Sequence, residues 1–413
     1  MKTVIRHESE MKDSGIDTVE KMPLSWSKIR LKNLVKIRTG NEDTQNATPN
    51  GKYRFYVRSP IVERCDRYTF EGEAILVAGD GAGAGRIFHL VNGRYAVHQR
   101  VYCLSDFKYN AKFVHYYLEN LFPFEMDKGS AQSTVPSMRL PMLLNFNLVL
   151  PDENECLKIV DYLDETCSKI DKIIAEAKTS IDEYKNLRES VISNATTYGI
   201  KKNRCVKSSS AEWVLEIPTD WDMIPAKALF SQSNERKHAD DVQLTASQKY
   251  GIISQVEYMK RENSRIVIAT QGIENWKHVE PNDFIISLRS FQGGLEKSDV
   301  SGCITWHYVV LKPNNGVYCD YFKWLFKSDK YINALQGTCN FIRDGQDLRF
   351  SNFIQVPLLA VPIEEQKEIA NYLNKEVPKI DFLITEKQSL IADLEAYKKS
   401  LIYEVVTGKR KVV

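Results

Sequence analysis

The chain has 413 residues, with 56 Lys+Arg against 54 Asp+Glu and 43% hydrophobic residues. That balance excludes wholesale disorder and a histone-like basic protein, and the length points to two to three domains. No stretch reaches the length of an apolar membrane span, and Met1 to Glu10 is too polar for a secretion signal, so a cytoplasmic protein is expected.

After an N-terminal extension over 1–19, residues 20–151 carry short runs rich in β-branched and aromatic residues. These are Tyr53 to Val57, Ala74 to Val77, Arg86 to Val91 and Tyr95 to Leu104, with the turn signal Asn92-Gly93 between them. A helix is predicted over Ala111 to Leu121. A much longer one is predicted over 152–200, where Ile159, Leu163, Ile170, Ile173, Ala177, Tyr184, Leu187 and Val191 keep a 3-4 alternation. Asp152, three residues before Glu155, reads as a capping box. Residues 201–361 repeat the grammar, with strands near Arg265 to Thr270, Asp283 to Leu288 and Thr305 to Leu311 and a helix over Tyr318 to Phe326. A second long helix over 362–408 sets Ile369, Leu373, Ile380, Leu383, Leu390, Leu394, Tyr397 and Leu401 in its seam, with Lys387 as the one break. Gly408 is its expected stop, and 409–413 form a tail.

The chain is a duplication. Lys12, Ser14, Val19, Pro23 and Trp26 recur 195 residues later as Lys207, Ser209, Val214, Pro218 and Trp221. Gly72-Glu73-Ala74-Ile75-Leu76 is echoed by Asn282-Asp283-Phe284-Ile285-Ile286 at a spacing of 210, and Glu155 to Thr197 matches Glu365 to Thr407 at the same spacing without a gap. A lone helix with an apolar seam needs a partner in water, and the repeat supplies one. The expected fold is therefore α+β: two β-rich modules separated by two long helices that form an intrachain antiparallel coiled coil, in a pseudo-two-fold internal repeat.

Several chemistries are excluded. The eight cysteines never form a C-x-x-C pair, and the seven histidines show neither an H-x₃-H nor an H-E-x-x-H spacing, so no metal site is expected and the thiols read as free. Gly79-Asp80-Gly81-Ala82-Gly83-Ala84 fits a dinucleotide pattern, but a hairpin follows where a helix would have to hold the pyrophosphate. Asp152 and Glu176-Ala177-Lys178 spell a nuclease pattern, yet one continuous helix would hold them roughly 36 Å apart. There is no phosphate loop, no amino-methyltransferase N-P-P-[YF] run and no nucleophile elbow, so no catalytic residues are expected. Charge is unevenly spread: +6 over 20–150, −5 over 152–200, +2 over 201–360 and 0 over 361–413. A basic module beside an acidic rod is what a nucleic-acid reader on a spacer shows.

At this point the residues resemble a known family, the specificity (S) subunits of type I restriction-modification systems. The resemblance rests on Lys12-Asp13-Ser14-Gly15…Met22-Pro23…Trp26, repeated as Ser209…Ile217-Pro218…Trp221. It rests also on Gly129-Ser130-Ala131-Gln132…Leu150-Pro151, repeated as Gly337-Thr338-Cys339-Asn340…Val361-Pro362-Ile363-Glu364-Glu365-Gln366-Lys367, and on Lys399-Ser400-Leu401-Ile402…Thr407-Gly408-Lys409. Cys156 departs from the Gln seen at Gln366, and Asn340 from that at Gln132.

The resemblance implies two target-recognition domains, each reading half of a bipartite asymmetric DNA site, with the paired helices as a ruler between halves. It implies two adenine-N6 methyltransferase (M) subunits and restriction/translocase (R) subunits as partners, with S-adenosylmethionine, ATP and Mg on those partners and none on this chain. Base-reading candidates in the first module are Arg58, Asp80, Arg86, Gln132, Ser133 and Arg139; their counterparts are Arg289, Ser290, Gln292, Asn340, Arg343 and Asp344. Lys36, Arg38, Lys249 and Lys277 are candidates for phosphate contacts, and Ile174, Ile181, Ile384 and Ile391, lying beside the seam, for the partner-facing stripe. Two other readings are a recognition subunit of a related type IIB-like system that cuts on both sides of its site, and a coiled-coil scaffold for protein partners.

Overall fold

A computed structural model of the chain describes residues 2–129, 136–247, 249–265, 272–286, 295–338 and 348–413. The structure divides into two units, Met1–Lys178 with Ser389–Val413, and Thr179–Gln388. Each unit holds one module and a part of both long helices, here α1 (Glu153–Tyr198) and α2 (Ile363–Val406).

In the first unit a four-stranded antiparallel sheet runs in the order Phe88–Val91, Ala74–Ala78, Val101–Ser105, Lys36–Thr39. The central strand is apolar at every position and buried throughout, as a strand covered on both faces must be. Its residues alternate. Ile75 and Val77 pack with Phe113, Val114, Tyr117, Leu121 and Phe122 of the helix Ala111–Gly129, whereas Ala74 and Leu76 face Tyr56, Tyr95 and Val97. The latter belong to a second sheet in the order Glu63–Cys65, Tyr53–Tyr56, Arg94–Val97, Phe70–Glu71. Gly79 to Ala84 joins the antiparallel strands Ala74–Ala78 and Phe88–Val91, so a strand and not a helix follows the glycine-rich run, but the hairpin expected at Asn92-Gly93 does not form: Phe88–Val91 pairs with Ala74–Ala78, while Arg94–Val97 lies in the second sheet.

The second unit repeats this plan with the sheet Phe230–Ser233, Val309–Pro313, Phe284–Ile286, Glu296–Lys297. Here Phe284, Ile286 and Leu311 meet Phe322, Phe326 and Tyr331 of the helices Cys319–Leu325 and Asp329–Gly337 and the residues joining them, and Ile285 and Val310 face Leu244, Ile252, Val279 and Ile304. The spacing of 210 read for this strand is therefore one residue out of phase. Ile75 faces the helix and Ile285 faces away, and a shift of one residue exchanges the faces of a strand.

Within each unit the parts of α1 and α2 run antiparallel. In the first, Asp171 pairs with Lys398 at 2.7 Å, while Gly408 beyond the end of α2 lies against Trp26, whose indole bonds Glu155 near the start of α1. In the second, Arg188 bonds Asp381 at 2.8 Å and Gly199, just past α1, lies against Glu365 at the start of α2. The intrachain antiparallel pairing is thus borne out in each unit.

The seam differs from its expected phase. Cys156, Val160, Leu163, Cys167, Ile170, Ile174, Ala177 and Ile181 are buried at 3-4 spacing, and on α2 the same rhythm runs through Leu373, Val377, Ile380, Ile384, Lys387, Ile391, Leu394 and Lys398. Ile174 and Ile181, expected as a partner-facing stripe, are only 8% and 7% exposed, and Ile384 and Ile391 occupy half-buried seam positions. Conversely Ile173, Leu187, Leu383, Leu390 and Tyr397, expected in the seam, are 39 to 55% exposed. Adjacent apolar residues, Ile173-Ile174 and Leu383-Ile384, let the sequence pattern be read one position early.

Capping is also partly as expected. Asp152 Oδ1 accepts the Glu155 amide at 2.9 Å, but the Glu155 carboxylate turns to the indole of Trp26 at 2.9 Å and to Arg6 instead of completing a box. Gly408 takes φ +75°, the left-handed conformation of a helix stop.

Candidate nucleic-acid interface

The first unit gathers arginines around Asp80 at one end of its main sheet. Asp80 lies two residues past the end of the central strand, and Val101 opposite Ala78 sets Arg100 at the same end. The Asp80 carboxylate accepts Arg58 Nη1 on one oxygen and Arg100 Nη1 on the other, both at 2.9 Å. Asp80 is largely shielded, while both guanidinium groups stay exposed, so their remaining donors face outward. A carboxylate that grips two arginines fixes planar forks of donors, the geometry that reads a guanine edge or a phosphate.

The neighbouring chain adds to this end. Met138 donates its amide to the Gly79 carbonyl at 2.8 Å and Ser137 bridges Asp80, which brings the exposed Arg139 alongside the glycine-rich loop. Arg86, on the far side of that loop, pairs with Asp127. His98 supports the cluster from beneath: its Nδ1 accepts the Arg100 amide at 3.0 Å, and burial first, then the Arg58 charge, pull its pKa below the usual imidazole value. The structure thus brings together Arg58, Asp80 and Arg139 of the expected residues and adds Arg100, which the sequence reading missed. Its only signal was position, immediately before a buried strand and level with Asp80.

The remaining candidates are placed apart. Lys36 and Arg38 stand on the edge strand, paired with Asp106 at 3.1 and 3.9 Å, and Lys36 opposite Ser105 lies at the other end of the strand Val101–Ser105 from Arg100. Gln132 and Ser133 fall outside the described residues, as do Arg289, Ser290, Gln292, Asn340, Arg343 and Asp344. Lys249 is tied to Glu262 at 2.9 Å, which also accepts the Tyr250 hydroxyl at 2.6 Å. Lys277 is half-buried: its ammonium donates to the Tyr308 carbonyl at 2.7 Å, and burial lowers its pKa, so this bond ties it to its own module.

A second repeated feature fixes each module to a helix start. Trp26 and Arg6 both bond Glu155, and Trp221 and Arg204 both bond Glu365, the indole bonds measuring 2.9 and 3.0 Å. Burial alone would raise the Glu365 pKa, but the hydrogen bonds from Arg204 and Trp221 hold it below the usual carboxylate value. The tryptophans and glutamates were visible in the repeat; the arginines, at unequal spacing from it, were not.

With this geometry in hand, comparison with known proteins defines the class. Residues 23–183 match the family described as type I restriction modification DNA specificity domain. A stretch of 175 residues, 42% of this chain, is 24% identical to the type I restriction enzyme EcoDI specificity subunit of Escherichia coli, and it spans 38% of that subunit. A solved chain, from work on complex assembly and conformational transition of the type I R-M system, matches with a TM-score of 0.66 at 13% identity, over 94% of this chain and 99% of that one. Residues 23–183 are therefore a type I DNA specificity domain, and the fold extends over nearly the whole chain. The resemblance to type I specificity subunits is borne out.

Proposed function

We propose that this chain is the sequence-reading subunit of a type I restriction-modification complex, with residues 20–151 reading one half of a bipartite asymmetric DNA site and 201–361 the other. The observation that carries this reading is the DNA specificity domain over 23–183, within which Arg58 and Arg100 are held on Asp80 beside a glycine-rich loop. Two adenine-N6 methyltransferase subunits dock on the long helices, and restriction/translocase subunits join them. S-adenosylmethionine, ATP and Mg act on those partners; this chain contributes recognition and not bond making. A methyltransferase must take its adenine out of the stack, so a separate reader holds the site in register. The complex works in the cytoplasm, and no helix among the described residues is long and apolar enough to cross a membrane.

Duplex binding by the chain with its methyltransferase partners tests this. A reader loses affinity steeply as salt rises, whereas a scaffold shows little binding at any salt. Mapping N6-methyladenine in cells carrying the gene and its partners then gives both half-sites and the spacer, and exchange of residues 27 to 150 for another module must change one half-site only. Cleavage on both sides of the mapped site would assign the chain to the type IIB-like systems instead.

A further inference from the structure

The second unit contains a histidine–carboxylate cluster that none of the base-reading or phosphate candidates named above joins. Segment 235–238 is laid against the strand Lys277–Val279: Lys237 donates its amide to the Trp276 carbonyl and His278 donates its amide to the Glu235 carbonyl, both at 2.9 Å. This pairing stacks the imidazoles of His238 and His278, with centroids 3.8 Å apart and planes 22° from parallel. One ligand atom from each of Glu235, His238 and His278 lies within 4.8 Å of the others. Lys312 bonds Glu235 Oε2 at 3.2 Å and Glu280 Oε2 at 2.9 Å, which leaves the Oε1 atoms turned to the imidazoles: Glu235 Oε1 is 3.0 Å from His238 Nε2, and Glu280 Oε1 is 3.8 Å from His278 Nε2.

Two further observations point to a ligand. The His278 side chain is 5% exposed, and its Nδ1 meets both carboxylate oxygens of Asp241, itself 7% exposed, at 2.9 and 3.0 Å. A buried carboxylate on Nδ1–H fixes the tautomer that presents a lone pair on Nε2, the support that metal-binding histidines regularly have. Three carboxylates, Glu235, Asp241 and Glu280, face the imidazole pair against two ammonium groups, Lys312 between Glu235 and Glu280 and Lys237 donating to the His238 carbonyl at 3.1 Å. Carboxylates thus outnumber ammonium groups around the imidazoles.

We propose that Glu235, His238 and His278 bind one zinc ion, with Glu280 or water in the fourth position. Two imidazoles and a carboxylate suit zinc, whereas magnesium and calcium take oxygen ligands. Ligands at about 2.0–2.2 Å from the ion must draw together by roughly an ångström, which rotation of the exposed Glu235 and His238 side chains provides while His278 stays fixed. The ion would cross-link the loop that begins at Asn234 to the strand pair behind it. The sequence hides the site because its two histidines are forty residues apart and meet only through backbone pairing.

The test is zinc titration of the untagged, chelator-stripped full chain, followed by calorimetry and elemental analysis. Expected is one equivalent of zinc, lost in His238→Ala and in His278→Ala and weakened about 10–100-fold in Asp241→Asn. Cobalt(II) in place of zinc should give the visible bands of a tetrahedral nitrogen and oxygen site. Cys205→Ser removes the one exposed thiol among the described residues and should change nothing. His238 is exposed, so its variant is expected to keep wild-type circular dichroism and remain interpretable even where His278→Ala unfolds. Absence of stoichiometric binding, or equal binding by wild type and His238→Ala, would show a hydrogen-bonded histidine cluster only and overturn the proposal.

Discussion

The carboxylate of Glu365 accepts the indole N–H of Trp221 at 3.0 Å, as Glu155 does from Trp26 at 2.9 Å. In the second unit this bond and the Arg204 pair are buried, so Glu365→Ala leaves the indole donor without a partner and Arg204 with Asp220 alone. The expected loss is about 1–3 kcal/mol, read as a fall in the chemical denaturation midpoint, with a smaller effect for Trp221→Phe.

The same carboxylate sets a pH dependence. Its folded pKa lies below the unfolded value, so its stabilisation is fully present above about pH 4.3 and is lost as pH falls through the folded value. Wild type and Glu365→Gln should therefore differ most near neutrality and converge as the solution is acidified towards that range; a constant difference would contradict the assignment.

Arg58 and Arg100 share Asp80, and replacing either by Ala should weaken recognition of one half-site by about 1–3 kcal/mol while leaving the other half unchanged. Asp80→Asn should act on the same half by loosening both arginines. Lys277→Met, in contrast, should leave the salt dependence of binding as it is, because that ammonium already serves Tyr308. Competition binding with half-site variants separates these outcomes.

Leu390 and Tyr397 are exposed on α2 in the first unit, and Leu383 in the second. Leu390→Asp or Tyr397→Asp should change stability by no more than about 0.5 kcal/mol, since surface substitutions rarely do more. Co-purification of the methyltransferase subunit should fall, whereas Ile174→Asp should unfold the first unit because that side chain lies in the seam.

In the second unit Gly199 and Arg204 are joined by the exposed segment 200–203. In the first, Gly408 and Arg6 are brought to matching places by pairing of Thr3–Ile5 with Arg410–Val412, and Lys2 and Val413 exchange backbone hydrogen bonds. A permuted chain with Val413 linked to Met1 and new ends between Ile200 and Asn203 should unfold cooperatively and read the same DNA site. Loss of folding would show that the continuous segment does more than connect.

Legibility followed physical range. The duplication, the helices and the paired seam were readable because heptad spacing and repeated strings are local. The phase of the seam was not, since Ile173-Ile174 and Leu383-Ile384 offer two apolar neighbours and only the opposing helix selects one. Strand order was hidden for the same reason: Ala74–Ala78 lies between Phe88–Val91 and Val101–Ser105, while its partner sheet is built from strands on both sides of it in sequence. Arg58 and Asp80 were found as loop residues, but Arg100 needed the register of two strands. The inward turn of Lys277 needed the position of Tyr308.

The strand Thr3–Ile5 finds its partner only at Arg410–Val412, and α1 in the first unit meets the part of α2 that follows Ser389. Residues 179–388 form one uninterrupted segment, so during synthesis the second unit has all its parts while the first still lacks its last strand. The first unit therefore needs residues 389–413 to complete its helix pair and its outermost strand, whereas the second draws on one continuous segment.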